Sequence, residues 1–398
     1  MRKVLIGALD AFRRAETMWL ALRGRTPKGE AERRLLSGQS WEEFCDTLKA
    51  AGAALKFPGT PQDPFNQAEG YRYLSRLARA GLEGFIEDAD PRAPVLKRVV
   101  HETVKMGADN PDNYYQNASI SGDYEYVIRG NRGTVRYLSF GTQAGHYGQG
   151  GGMPPTGFLN ASDLAIDANG DFEIAVSCTK KPGNWLPMQK QTGLLIVRQT
   201  FADRRAETPA RLHITRTDGP ALPEPVSAEQ IDQGLRNAGT LVAGASLLFA
   251  KWARDFQAHS NQLPRFDQGV SDRAGGDPSI AYYHSHWRLG SDEALIIEAT
   301  PPRCDFWNFQ LNNYWMESLD YRHFNIHINS SQAVLEADGS LRIVVAHRDP
   351  GLPNWISTAG HDQGTMLFRW VRADSAPVPA TRVVRFAELA TLRHRAQD

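Results

Sequence analysis

Apolar residues recur every three or four positions in two tracts of the chain. In the first, Trp41, Phe44, Cys45 and Leu48 form one stripe, and Ser40 with Glu43 three residues later predicts a capping box at its start. A breaker-rich loop follows, Pro58-Gly59-Thr60-Pro61 and Pro64. The same spacing then resumes through Tyr71, Leu74, Leu77, Ala78, Gly81, Leu82, Phe85 and Ile86, until Pro91 and Pro94 end it. The second tract opens on another capping box, Ser227 with Gln230. It carries Ile231, Leu235, Leu241, Val242, Leu248, Phe249, Trp252 and Phe256, and the Pro-rich segment Pro220–Pro225 before it reads as a linker.

Elsewhere the period shortens to two. Tyr124–Ile128 alternates, Asn131-Arg132-Gly133 turns, and Thr134–Leu138 alternates again, which predicts a hairpin. The same order returns later in the chain. Ile128 and Ile297 lie 169 residues apart, and so do Gly170 and Gly339. At that offset Tyr137, Leu138 and Phe140 match Phe306, Trp307 and Phe309. Tyr114-Tyr115 matches Tyr282-Tyr283, Asn184-Trp185 matches Asn354-Trp355, and Arg198 matches Arg369, with small changes of register. Two copies of one unit are therefore expected, each a helix followed by a β half. Asn169-Gly170 and Asp338-Gly339 supply positive-φ turns. After them Phe172, Ile174 and Val176, and then Leu341, Ile343 and Val345, share one apolar face that must pack against another layer.

The expected fold class is α+β: two related antiparallel β-sandwich or jelly-roll-like halves, braced by N-terminal and inter-repeat helices. The boundaries drawn from the pattern are a mainly helical region 1–106, a first β half 107–215, a linker and helix 216–268, a second β half 269–385, and a tail 386–398.

Three segments also carry a family pattern. Gly107-Ala108-Asp109-Asn110-Pro111-Asp112-Asn113-Tyr114-Tyr115, Ala337-Asp338-Gly339-Ser340-Leu341 and Asn184-Trp185-Leu186-Pro187 resemble the bacterial family called domain of unknown function 1214. In that family an Asp-Gly-Ser turn, an apolar strand, an Asn-Trp-Leu-Pro element and a strand ending in Arg close the domain. The second copy departs slightly, with Asn354-Trp355-Ile356-Ser357. The resemblance spans approximately residues 107–372; it implies a jelly-roll-like β fold and brings no established activity.

Composition narrows the partners. The 398 residues hold 45 Lys and Arg against 45 Asp and Glu, so no basic face for nucleic acid is expected. Cys45, Cys178 and Cys304 are too few and too scattered for a disulfide framework; they read as small core hydrophobes of a cytoplasmic protein. The apolar run Val4–Leu9 stops at Asp10, short of a signal peptide. Ala238–Ala250 falls short of the roughly 20 apolar residues that span a bilayer, so it reads as a buried helix and no membrane partner is expected.

Candidate chemistry centres on histidines present in one copy only. His284 and His286 share a face of the predicted strand Ala281–Arg288, with Cα atoms about 7 Å apart, so both imidazoles could reach one divalent metal ion. A third ligand would come from His323, His327, Asp305 or Glu298. In Tyr321–Asn329 the odd positions Tyr321, His323, Asn325, His327 and Asn329 form a polar face, either a solvated outer face or a pocket wall, and Phe324, Ile326 and Ile328 point to the core. Asp305 would orient an imidazole, Trp307 and Trp315 would form an apolar wall, and Tyr283 and His146 would flank the site. The loop Gly145–Pro154 lacks a phosphate-loop ending and reads either as a glycine-hinged flap over a pocket or as a simple disordered connection. The paired Asn-Trp elements read as structural.

These residues predict a small-molecule site. The favoured expectation is a cofactor-independent enzyme of lyase, isomerase or hydrolase type. It would use His284, His286, His327 and Asp305 for acid–base chemistry on a hydroxylated, partly apolar terpenoid, steroid, aromatic or sugar derivative. The alternatives are a non-catalytic small-molecule or carbohydrate-binding β-sandwich, and a metal-assisted hydrolase on His284 and His286. The aromatic excess would also suit a homo-oligomer.

Overall fold

The computed structural model describes residues 26–145 and 152–395. The N-terminal helices are α1 (Pro27–Leu36), α2 (Gln39–Ala51) and α3 (Pro64–Leu82). Thr26 and Asp63 cap α1 and α3, each followed by Pro at the first helical position. The long α4 (Ala228–Phe256) starts at the expected Ser227–Gln230 capping box. It joins the N-terminal helices in one layer, where Leu77, Leu241, Val242, Ala245 and Phe249 are buried together. Gly81 allows a close crossing: a Cβ there would stand 3.1 Å from the Ala238 Cα. Among the described residues no helix is long and apolar enough to cross a membrane.

The first β half contains β1 (Asn113–Ser119), β2 (Tyr126–Asn131), β3 (Tyr137–Ala144), β4 (Pro155–Asn160), β5 (Asp171–Ser177), β6 (Trp185–Pro187), β7 (Thr192–Thr200) and β8 (Arg211–Arg216). A short helix α5 (Gln268–Arg273) leads into the second. That half contains β9 (Ile280–Arg288), β10 (Glu293–Ala299), β11 (Phe306–Asn312), β12 (His327–Asn329), β13 (Leu341–Ala346), β14 (Trp355–Ser357), β15 (Gln363–Val371) and β16 (Ala380–Arg385). The first half has sheets ordered β1-β7-β3-β4 and β6-β5-β2-β8; the second has β9-β15-β11-β12 and β14-β13-β10-β16. Strand for strand the two orders are the same. Among the described residues only the short pairs β5–β6 and β13–β14 run parallel.

Each half closes over its own core. Ile128, Phe140, Ile174, Leu195 and Val197 fill the first, and Trp287, Ile297, Phe309, Ile343 and Phe368 fill the second. Gly170 and Gly339 take the expected positive φ, 85° and 80°. In the first half Asn184 Nδ2 donates to the carbonyls of Ala165 and Glu173, and in the second Asn354 Nδ2 donates to those of Val334 and Arg342. These asparagines satisfy backbone groups, as a structural role requires. Their tryptophans are only half-buried, and Leu186 and Ile356 one position on enter the cores instead.

Several local expectations need correction. The predicted hairpin at 124–138 does not form, because β2 and β3 lie in opposite sheets. Tyr115 stands opposite Arg198 as Tyr282 stands opposite Arg369, so the tyrosine match shifts by one residue. The strand expected over 321–329 shrinks to His327–Asn329, with a turn at 321–324 and Phe324 half exposed. Cys45 and Cys178 are exposed rather than core, and Cys304 is half-buried.

Ser40 does not cap a helix either. It lies inside α2 and donates to Asp232 of α4, while Glu43 binds Arg34. The buried Arg34 guanidinium also donates from Nε to Asp232 at 2.9 Å, so three helices share one charge network. Its pKa is raised by the hydrogen bonds it donates to Glu43, against burial, with Asp232 adding to the rise. Removing Asp232 leaves the buried Arg34 Nε and the Ser40 hydroxyl without their acceptor. Asp232→Ala is therefore expected to destabilise the chain by about 3 kcal/mol, read as a lower urea midpoint with unchanged slope.

Candidate binding site between the two halves

Alternation along the inner strands sorts their side chains between two environments. On β9, Tyr283 and Trp287 enter the sandwich core, while Tyr282 and His284 point the other way. On β15, Phe368 enters the core, while Leu367 and Arg369 point out. Tyr115 on β1 and Ile196 and Arg198 on β7 are placed likewise in the first half.

The segment entering each inner sheet reaches across to the other half. Arg369 Nη2 donates to the Ala108 carbonyl at 2.7 Å, and Arg198 Nη2 donates to the Gly275 carbonyl at 2.6 Å. Asn308 donates to Asn110 Oδ1 at 2.6 Å, and Ser139 donates to Asp277 Oδ2 at 3.0 Å. The N–H of Asn110 donates to the Tyr115 hydroxyl, and that of Asp277 to the Tyr282 hydroxyl. Ala108 and Gly275 both adopt positive φ, 57° and 84°, which turns each carbonyl toward its arginine.

Between these segments and the helical layer lies a cavity of about 1080 Å³. Phe85, Leu241, Phe249 and Trp252 supply an apolar wall, and Tyr115, Arg198, Tyr282, His284 and Arg369 supply polar groups. The His284 ring stacks on Phe256, with centroids 5.6 Å apart, and meets Phe266 edge-on. Burial, then the Arg369 charge, lowers its pKa to about 3, so the imidazole is neutral at pH 7. Burial, with Asp277 adding, raises the Tyr282 phenol to about 12. Burial lowers the Arg369 pKa against the neighbouring tyrosines; at Arg198 burial is opposed by Asp277 together with Tyr282, Tyr115 and Tyr137, which raise the pKa on balance.

The sequence-predicted residues are dispersed around this cavity rather than gathered in it. His284 lines it. His286, further along the same strand face, bonds Ser260 at 2.9 Å and packs against Tyr314; burial lowers its pKa to about 4. His327 pairs with Asp112 at 3.2 Å in the interface between the halves. Asp305 is at the surface against Arg372, and His323 is exposed. The exposed Asn325 bonds the Trp355 carbonyl. Tyr283 and Trp307 belong to the second sandwich core, and Trp315 is buried under α3 with its Nε1 donating to the Asn66 carbonyl. His146 and most of the expected flap lie outside the described residues, although Gly145 and Met153 beside them line the cavity. Among the described residues no group of three or more His, Cys, Asp or Glu is placed to hold a metal ion.

Sequence reasoning did not single out Arg198, Arg369, Tyr115 or Tyr282 as site residues. Their signal was present as the recurring Arg and Tyr of the two halves; what it lacked was the direction each side chain takes.

Residues 292–375, which run from the end of the β9–β10 turn through β15, match the family model described as a protein of unknown function, DUF1214. An uncharacterized protein from Burkholderia cenocepacia, solved by crystallography, is 52% identical, with a TM-score of 0.88, covering 89% of this chain and 99% of that one. The chain belongs to the DUF1214 family. The VPA0106 protein from Vibrio parahaemolyticus is similar at 11% identity and a TM-score of 0.46, covering 80% of this chain and 98% of that one. No protein with curated function matches the chain.

The low histidine pKa values set a pH dependence. Below about 6.5 the unfolded chain takes up protons that His284 and His286 refuse in the native state, so stability falls as pH drops. His284→Asn is expected to remove about 2 kcal/mol of the stability loss between pH 6.5 and 5, measured by urea unfolding at each pH. An unchanged pH slope would show that His284 is not the group responsible.

Proposed function

We propose that this DUF1214 protein binds a small, mostly apolar organic molecule in the cavity between its two β halves and the helical layer. The observation that carries this is the cavity itself, about 1080 Å³, with an apolar wall from the helical layer and Tyr115, Arg198, Tyr282, His284 and Arg369 among its polar lining. Ligand sites have this character: apolar surface supplies affinity, and a small number of placed donors fixes orientation. Two β halves of the same strand order, with the site between them, fit the same view. Neither a metal nor an organic cofactor is part of the proposal.

A hydroxylated ligand suits the wall chemistry, since the phenols of Tyr115 and Tyr282 and the neutral His284 ring face it. The neutral imidazole beside Tyr282, ring centroids 5.9 Å apart, favours a second reading in which the bound molecule is turned over by acid–base chemistry. Ligand recovered chemically unchanged after long incubation would separate binding from turnover.

Ile196→Trp places a bulky ring in the cavity. It is expected to weaken binding of any hit from a thermal-shift ligand screen by about tenfold or more, a difference of about 1.4 kcal/mol. Hits that bind the variant undiminished would locate the ligand elsewhere.

A further inference from the structure

Arg198 and Arg369 occupy matching places in the two halves, each opposite a tyrosine in the sheet register, and both line one cavity. The phenols of Tyr115 and Tyr282 each feel the charge of both guanidinium groups, so the four side chains are neighbours. Both hydroxyls already accept a backbone N–H, which leaves their own protons to donate.

Among the described residues neither arginine has a carboxylate within salt-bridge distance; their hydrogen bonds go to the carbonyls of Gly275 and Ala108 and to the amide oxygens of Asn308 and Gln310. The nearby carboxylates act on the arginines only through space, Asp277 on Arg198 and Asp112 and Asp109 on Arg369, while their own hydrogen bonds go to other groups. Asp277 accepts from Tyr137 and Ser139, Asp109 from Ser318, and Asp112 from Asn308 and Asn329. Two buried cations beside two hydroxyl donors, walled by apolar side chains, have the makings of an oxyanion receptor. His284 Nδ1, on a side chain 94% buried, has no hydrogen-bond partner and stands in the same wall.

Building on the cavity's proposed role as a binding site, we infer that its ligand is an amphipathic anion. A carboxylate or phosphate headgroup sits between Arg198 and Arg369, and an apolar tail lies along Leu241, Phe249 and Trp252. A guanidinium offers a planar pair of donors that suits either headgroup. The apolar tail supplies the remaining affinity by leaving water.

Calorimetric titration of the full chain with dodecanoate, dodecyl phosphate and dodecanol, each below its aggregation limit, tests this. At least one anion is expected to bind about tenfold tighter than the alcohol. Arg198→Gln and Arg369→Gln should bring that preference close to one. The anion that wins assigns carboxylate or phosphate. Should the variants unfold, the wild-type preference and its decline with added salt decide the question. Alcohol binding as tightly as both anions would overturn the anion inference and leave the binding cavity standing. Binding of none of the three would count against both, and anion binding that survives Ile196→Trp at full strength would place the headgroup outside this cavity.

Discussion

Two arginines that reach across the molecule to a backbone carbonyl of the opposite half hold its architecture together. Arg198 belongs to the first sandwich and grips Gly275 ahead of the second; Arg369 belongs to the second and grips Ala108 ahead of the first. Charge-assisted bonds of this kind are worth more than neutral ones, and a buried cation without its acceptors is costly. The outward faces of the inner sheets are polar for the same reason. Asn308, Gln310, Asn312 and Asn329 are fully buried there, yet each is hydrogen-bonded, mostly to the incoming segment or its neighbours. Each half therefore needs the other to satisfy its inner sheet.

That reciprocity also shapes the cavity. The crossing segments hold the two sheets in a set relation, and the helical layer covers the gap with Phe249 and Trp252. The polar groups that bind the halves together and those that face the cavity are largely the same residues. A site made this way is rigid, because the groups that would contact a ligand are already fastened by the fold. It also ties stability to function: a substitution at Arg198 or Arg369 touches both.

The histidines illustrate how environment redirects a side chain. His284 and His286 lie two residues apart on β9, yet one packs among aromatic rings at the cavity and the other bonds Ser260 beside Tyr314. His327 pairs with an aspartate contributed by the other half. Period-two spacing correctly placed His284 and His286 on one face, but a shared face extends over a sheet that meets several different neighbours.

The α+β class with two β halves, the glycine turns before β5 and β13, the capping box of α4 and the supporting role of the two asparagines were legible in the sequence, because each depends on short-range spacing or on the φ preference of one residue. The DUF1214 resemblance was legible for the same reason, its motifs being local. What alternation cannot say is which sheet a strand joins, so β2 and β3 read as a hairpin although they lie in opposite sheets. Nor can it say whether an outward face meets water or another half. Tyr283 and Trp307 read as a pocket wall and are core, whereas Tyr282 and Arg369, on the opposite face of the same sheet, reach the cavity. Local chemistry decided the elements; the crossing of two segments far apart in the chain decided where the cavity lies, because only tertiary contact turns a buried polar face into an interface.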